Sequence, residues 1–292
     1  MTTTAVVALC TIVASMAIDA HTLAAQTART YKDVVYANVG GKDLRLDVYL
    51  PAGVTTPPLL IWVHGGVWRS GTKASYPKQL VDGGLAVASV DFRQSTDARF
   101  PAMIHDIKAA IRFLRARAGQ YGYRADRVAI GGNSSGGHLA ALVGVTSGDA
   151  RVEGTEGAYL TQSSSVQAIV DYYGASNLTT ILAQSTPFGL SVRRPGLELL
   201  LGALPDSARQ LAELASPVFH VDRTDPPLLL LHGDQDPQMP INQAHELQGA
   251  YAQFGLDVYL DVVHGAAHGG DAFFSPERVA RVIAFVHRTI GR

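Results

Sequence analysis

Short apolar runs recur along the chain at residues 59–64, 85–90, 127–130, 166–170 and 228–232, and a more alternating one follows at 258–263. Each is too short for a helix and continuous enough to be buried on both faces, which predicts strands of a parallel sheet. Helical spacing fills the gaps. Over 103–118, Ile104, Ile107, Ile111 and Leu114 share one face with Pro101 just ahead of them, and Pro276 opens a last segment with Val279, Val282, Ile283 and Val286 on one stripe. Such stripes are core faces. Strand and helix alternate, which predicts an α/β domain over 26–292, its mostly parallel sheet flanked by helices on both faces. The run at 44–50, with Asp43, Arg45 and Asp47 interleaved, predicts a half-exposed antiparallel edge strand.

The alternation breaks once, between the strand ending near Val170 and the one starting at Leu228. Insertions of that length are functional or lid-forming, so a small helical cap that shapes a pocket is expected at about 176–215. Within it Arg193 and Arg194 read as a solvated charge pair rather than a site for a substrate carboxylate.

Composition narrows the class. The chain has 292 residues, 47% hydrophobic and 17% charged, and a net charge of -1 with both signs scattered. A nucleic-acid surface would need a basic patch or stripe, and none is present in the sequence; cysteine–histidine metal spacing is absent too. Residues 5–18 are mostly apolar and lead to Leu23-Ala24-Ala25-Gln26. This pattern reads as a signal peptide cut after Ala25, hence a secreted or periplasmic protein. The segment is short for a membrane span, which takes about 20 residues. Cys10, the single cysteine, falls inside it, so the mature chain would fold without a disulfide.

The candidate chemistry begins with Gly132-Asn133-Ser134-Ser135-Gly136, set between the apolar run 127–130 and the helix-like 138–143. A serine hydroxyl becomes a useful nucleophile when it stands on a sharp strand-to-helix turn with a base in reach. Upstream, the strand 59–64 ends in His64-Gly65-Gly66-Val67-Trp68. Backbone N–H groups of such a turn can hold an oxyanion, and the expected donors are Gly66 and Val67 with Ser135. His64 is assigned to bracing the turn. Downstream, the strand 228–232 leads into Gly233-Asp234-Gln235-Asp236. Asp236, further out on the loop, is the expected orienting carboxylate, with Asp234 and Asp171 as rivals. The base is expected after the last strand, in His264-Gly265-Ala266-Ala267-His268-Gly269. His268 is favoured over His264 because a glycine-flanked loop can bring its ring to Ser134. Trp68 and Phe188 are the expected substrate-lining side chains, with Tyr172 and Tyr173 as further aromatics near strand ends.

The order Ser134, Asp236, His268 is the one used by α/β-hydrolases. Together with 64–68, 132–136, Ser216-Pro217-Val218, 232–236 and 265–269, it makes the chain similar to hormone-sensitive-lipase-like carboxylesterases and to feruloyl and acetyl esterases of BD-FAE type. The likeness runs from about Leu44 to the C-terminus. It implies an α/β-hydrolase fold and a cofactor-free serine carboxylesterase acting on a small-molecule or acylated-carbohydrate ester. One departure is visible: Val67 stands where lipase-like relatives often carry a third glycine, which keeps the N–H donor and changes only the side chain. The Val67-Trp68 pair resembles the kynurenine-formamidase version of the turn as well, so an arylformamidase on the same triad is the alternative within hydrolases. A catalytically inactive binding module is the alternative from another class.

Overall fold

The computed structural model describes residues 27–291. The apolar N-terminal segment and its expected cleavage after Ala25 lie outside the described residues. The strands are β1 (Arg29–Val39), β2 (Lys42–Leu50), β3 (Pro58–Val63), β4 (Ala86–Val90), β5 (Arg124–Asn133), β6 (Ala168–Tyr172), β7 (Leu228–Gly233) and β8 (Val258–Val263). They form one sheet in the order β1-β2-β4-β3-β5-β6-β7-β8. β1–β2 and β2–β4 are antiparallel and every later pairing is parallel. The mostly parallel α/β architecture is therefore as the apolar runs predict.

Every residue of β3, β4, β6 and β7 is buried. Alternate side chains feed two separate cores, one on each face of the sheet. Leu59, Ile61 and Val63 of β3 join Ile104, Ile107, Ile111 and Leu139, carried by the helices Ala102–Ala116 and Ser135–Val145. Leu60 and Trp62 point the other way and join Val282, Phe285 and Val286 of the helix Pro276–Ile290.

The run at 44–50 is not the edge. β1 pairs along it and takes that position, and Asp47 is buried, its carboxylate held by Lys32 and Lys73. β1 escapes sequence reading because its register slips between Tyr31 and Val34 and again between Val35 and Ala37, which destroys the period-two signal. The insertion after β6 holds the helices Ile181–Gln184, Pro187–Leu201 and Arg209–Leu214. Among the described residues no helix is long and apolar enough to cross a membrane.

The central joint is the passage from β5 into Ser135–Val145. The helix starts hard against the end of β3: a Cβ on Gly136 would lie 2.1 Å from the Val63 carbonyl oxygen and 2.5 Å from that of His64. Backbone cannot yield by that much, so Gly136→Ala should cost on the order of 3 kcal/mol or more of folding free energy. Urea unfolding measures it, and a loss under about 0.5 kcal/mol would contradict this packing.

Candidate active site

Because β3, β5, β6, β7 and β8 run parallel, the loops that leave them open at one edge of the sheet, where α/β folds place their sites. Ser134 leaves β5 with φ 55° and ψ -123°, a conformation that costs a non-glycine residue about 1–3 kcal/mol and projects its side chain out of the turn. Its own N–H is fixed by the Tyr172 carbonyl at 2.8 Å, and its carbonyl accepts from His138 N–H at 3.0 Å.

The His268 ring stands between two partners. Its Nδ1 lies 2.6 Å from Asp236 Oδ2 and its Nε2 2.8 Å from Ser134 Oγ. A carboxylate can only accept, so Nδ1 carries the proton and Nε2 presents its lone pair to the serine hydroxyl. Asp236 is itself held: Oδ1 accepts the N–H groups of Gln238 and Met239, both at 2.8 Å. Burial pushes its carboxyl up, but the His268 hydrogen bond and charge together with those two N–H groups keep it below its ordinary value. His232 at the end of β7 braces the same loop by donating Nε2–H to the Met239 carbonyl at 2.9 Å.

The rival residues form a different arrangement. Asp234 accepts from His264 Nδ1 at 2.9 Å and from Gly265 N–H at 2.7 Å. The His264 side chain is 84% exposed whereas that of His268 is 11% exposed, so the outer pair ties two loops together at the surface. Asp171 is buried, accepts Gly174 N–H at 2.8 Å, and has its carboxyl pushed up to about 7 by desolvation. His64 is buried, stacks on Phe92 at 4.6 Å and makes a 2.8 Å contact from Nδ1 to the Gly65 carbonyl. It braces the turn.

The turn after β3 passes beside Ser134. Gly65 N–H donates to Asn133 Oδ1 at 3.2 Å, and a side-chain carbon on Gly65 would meet Ser134 Cβ at 3.3 Å. Val67 and Trp68 both adopt positive φ, 55° and 59°, which is rare for bulky residues and rarest for a β-branched one such as Val67. Among the described residues the N–H groups of Gly66, Val67 and Ser135 have no intramolecular acceptor. Free N–H groups beside a serine are what a developing oxyanion requires.

Trp68, expected to line the substrate site, is instead 1% exposed. Its Nε1–H donates to His138 Nδ1 at 2.9 Å, and His138 Nε2–H donates to the Ala215 carbonyl at 2.7 Å. His138 carries no role in the sequence reading; a lone histidine at the head of the apolar run 139–143, four residues after the serine, is the signal for it. Burial lowers its pKa to about 4, which keeps the ring neutral, with Nδ1 free to accept from the indole while Nε2–H donates. Phe188 stands 54% exposed in the first turn of Pro187–Leu201, whose N-cap Thr186 binds the Pro237 carbonyl at 2.6 Å. The expectation of a solvated Arg193 fails: that side chain is fully buried. Gly189, Arg193, Gly196, Leu197 and Leu200 form the buried stripe of their helix, and the small residues flanking Arg193 at helical spacing were the clue to it.

Tyr173 completes the surroundings. Its ring meets His268 edge-on at 4.8 Å, and with Asn133, Trp62, Tyr76 and Phe274 it lines a cavity of about 320 Å³.

A family model described as BD-FAE matches residues 46–251. The chain is 32% identical to Esterase LipC of Mycobacterium tuberculosis over 77% of its own length and 57% of the relative's. It is likewise 32% identical to Esterase LipQ of the same organism, over 80% of its length and 54% of that protein's. It thus spans little more than half the length of these curated relatives. Among solved structures, a truncated carbohydrate esterase from gut microbiota superposes with a TM-score of 0.79 at 30% identity, covering 89% of this chain and 95% of the other.

The buried Asp171 gives a test of the site's electrostatics. Its carboxyl pKa rises from 3.8 in the unfolded chain to about 7 in the fold, so the folded state binds the proton more tightly. The stability this carboxyl contributes is present below pH 3.8 and is lost as pH rises toward 7. Asp171→Asn removes that loss and should be stabilising at pH 8 by several kcal/mol, on the order of 4, with no such gain at pH 4. Paired urea titrations check it; a difference independent of pH would show that Asp171 ionises normally.

Proposed function

The chain belongs to the BD-FAE family, and we propose that it is a serine carboxylesterase working through an acyl-enzyme, with Ser134 as nucleophile, His268 as base and Asp236 as orienting carboxylate. The observation that carries this reading is the His268 ring bonded on one side to a carboxylate and on the other to a serine hydroxyl, at 2.6 and 2.8 Å. In that arrangement Nε2 takes the hydroxyl proton as Oγ attacks the ester carbonyl. The N–H groups of Gly66, Val67 and Ser135 receive the oxyanion. His268 then returns the proton to the leaving alkoxide, and water repeats the sequence to release the acid. The names of the LipC and LipQ relatives and of the gut-microbiota structure support ester hydrolysis.

The neighbourhood of the base supports one substrate class. The leaving group must lie within reach of His268, and the cavity that begins at Tyr173 lies on that side. It combines aromatic rings (Trp62, Tyr76, Phe274) with the polar groups of Ser75, Gln79 and Asn133. That mixture suits a sugar or other polyol ring, with ring faces on aromatic carbon and hydroxyls on the polar groups. The carbohydrate esterase neighbour agrees with it. The helical insertion between β6 and β7 acts as a cap on the acyl side, and the apolar N-terminal segment would direct export.

The test is hydrolysis of p-nitrophenyl acetate and of an acetylated sugar by the wild type and two variants. Ser134→Ala should bring turnover down by about 10⁴-fold or more. Asp236→Asn, which keeps the shape and loses the tautomer control, should lower kcat by about 10⁴ at neutral pH. Near-normal turnover in Ser134→Ala would exclude the serine mechanism. A wild type inert toward both esters yet active on N-formylkynurenine would move the reading to a formamidase.

A further inference from the structure

The helix Pro187–Leu201 carries a cation for which the reaction above has no use. Arg193 is 0% exposed, and its Nη1 and Nη2 have no hydrogen-bond partner among the described residues. Only Nε is bonded, donating to the Gln238 carbonyl at 3.2 Å. The guanidinium lies 6.0 Å over the ring of Trp68. The groups that face it are few. Asp236, from the loop after β7, is the carboxylate whose charge reaches it, and His138, from the helix after Ser134, faces it as a neutral ring. Burial opposes the charge and pulls the arginine pKa down to about 10. A methionine would fill the same space without the desolvation cost of an unpaired cation. What the arginine adds is a simultaneous hold on two parts of the site.

The rest of the helix makes the same two connections. At its start Thr186 Oγ1 donates to the Pro237 carbonyl, next to Asp236. One turn beyond Arg193, Gly196 lies so close to the turn after β3 that a Cβ there would sit 2.6 Å from Val67 Cγ1. The helix thus spans from the carboxylate loop to the oxyanion turn, and Arg193 is the residue that reaches toward both.

We propose that Arg193 is a positioning residue that fixes the Asp236 loop and the Val67–Trp68 turn relative to each other, so that both address the same Ser134. Its catalytic consequence rests on the esterase reading; its geometric one does not. The cap is in this view a brace of the machinery rather than only a wall of the pocket.

Arg193→Met and Arg193→Lys, each checked for folding by circular dichroism, provide the test. Turnover of p-nitrophenyl acetate and the proton NMR spectrum without substrate are measured on both. In Arg193→Met, kcat should fall about 10- to 100-fold with KM within about 3-fold, since no substrate contact is lost. The downfield signal of the His268 Nδ1 proton and the amide signals of Val67 and Gln238 should move together. Arg193→Lys, which keeps the charge, should recover part of kcat. A folded Arg193→Met with wild-type kcat and unmoved signals overturns the proposal, and if that variant fails to fold, the same result in Arg193→Lys overturns it. Should the wild type hydrolyse no ester, the esterase reading fails, and the NMR signals alone decide: joint movement supports the positioning role, and their constancy overturns it.

Discussion

The turn at Ser134 is the constraint on which the other features depend. A non-glycine residue at φ 55° is tolerated only where its surroundings over-determine it, and each neighbour here does so. Tyr172 takes its N–H, His138 caps its carbonyl, and Gly136 lets the helix close onto the end of β3. Once the serine is fixed, the parallel sheet brings every other participant to the same edge, because the loops after β3, β6, β7 and β8 all emerge there. The site is thus a property of strand direction first and of side chains second.

A second strained segment answers the first. Val67 and Trp68, both at positive φ, belong to the turn that passes beside Ser134 at Gly65. Such a turn would relax if left alone. It is pinned from three sides: by Asn133 through Gly65, by His138 through the Trp68 indole, and by the helix Pro187–Leu201 through Gly196 and Arg193. One of these contacts requires an uncharged histidine and another involves an arginine with unfilled donors, so the stability of the turn depends on electrostatics in a dry interior. Buried polar groups of this kind specify one arrangement at some cost in stability.

The parts of the fold that could be read from sequence are those governed by period and by local chemistry. The continuous runs of β3, β4 and β7 and the stripes of Ala102–Ala116 and Pro276–Ile290 declare themselves because burial on one or two faces leaves a regular trace. Ser134, Asp236 and His268 were legible as a set because each follows a strand in the order this architecture demands. β1 was not, since two register shifts erase its alternation. Nor was the true setting of Trp68 and Arg193, which are buried rather than open to substrate or solvent. Whether a large polar side chain points into a packed interface depends on which helix lands on it, and that information is tertiary. His138 and the Gly189–Arg193–Gly196 spacing held partial clues, visible only once a polar residue inside an apolar stripe is treated as a question.

The central claim is that Ser134 is made nucleophilic by its geometry with His268. Reaction with a fluorophosphonate, followed by intact mass and peptide mapping, tests it most directly because it needs no knowledge of the substrate. The account predicts a single adduct on Ser134 in the wild type and its loss in a folded His268→Ala variant. An adduct on another residue such as Ser135, or labelling of Ser134 that is indifferent to His268, would contradict it.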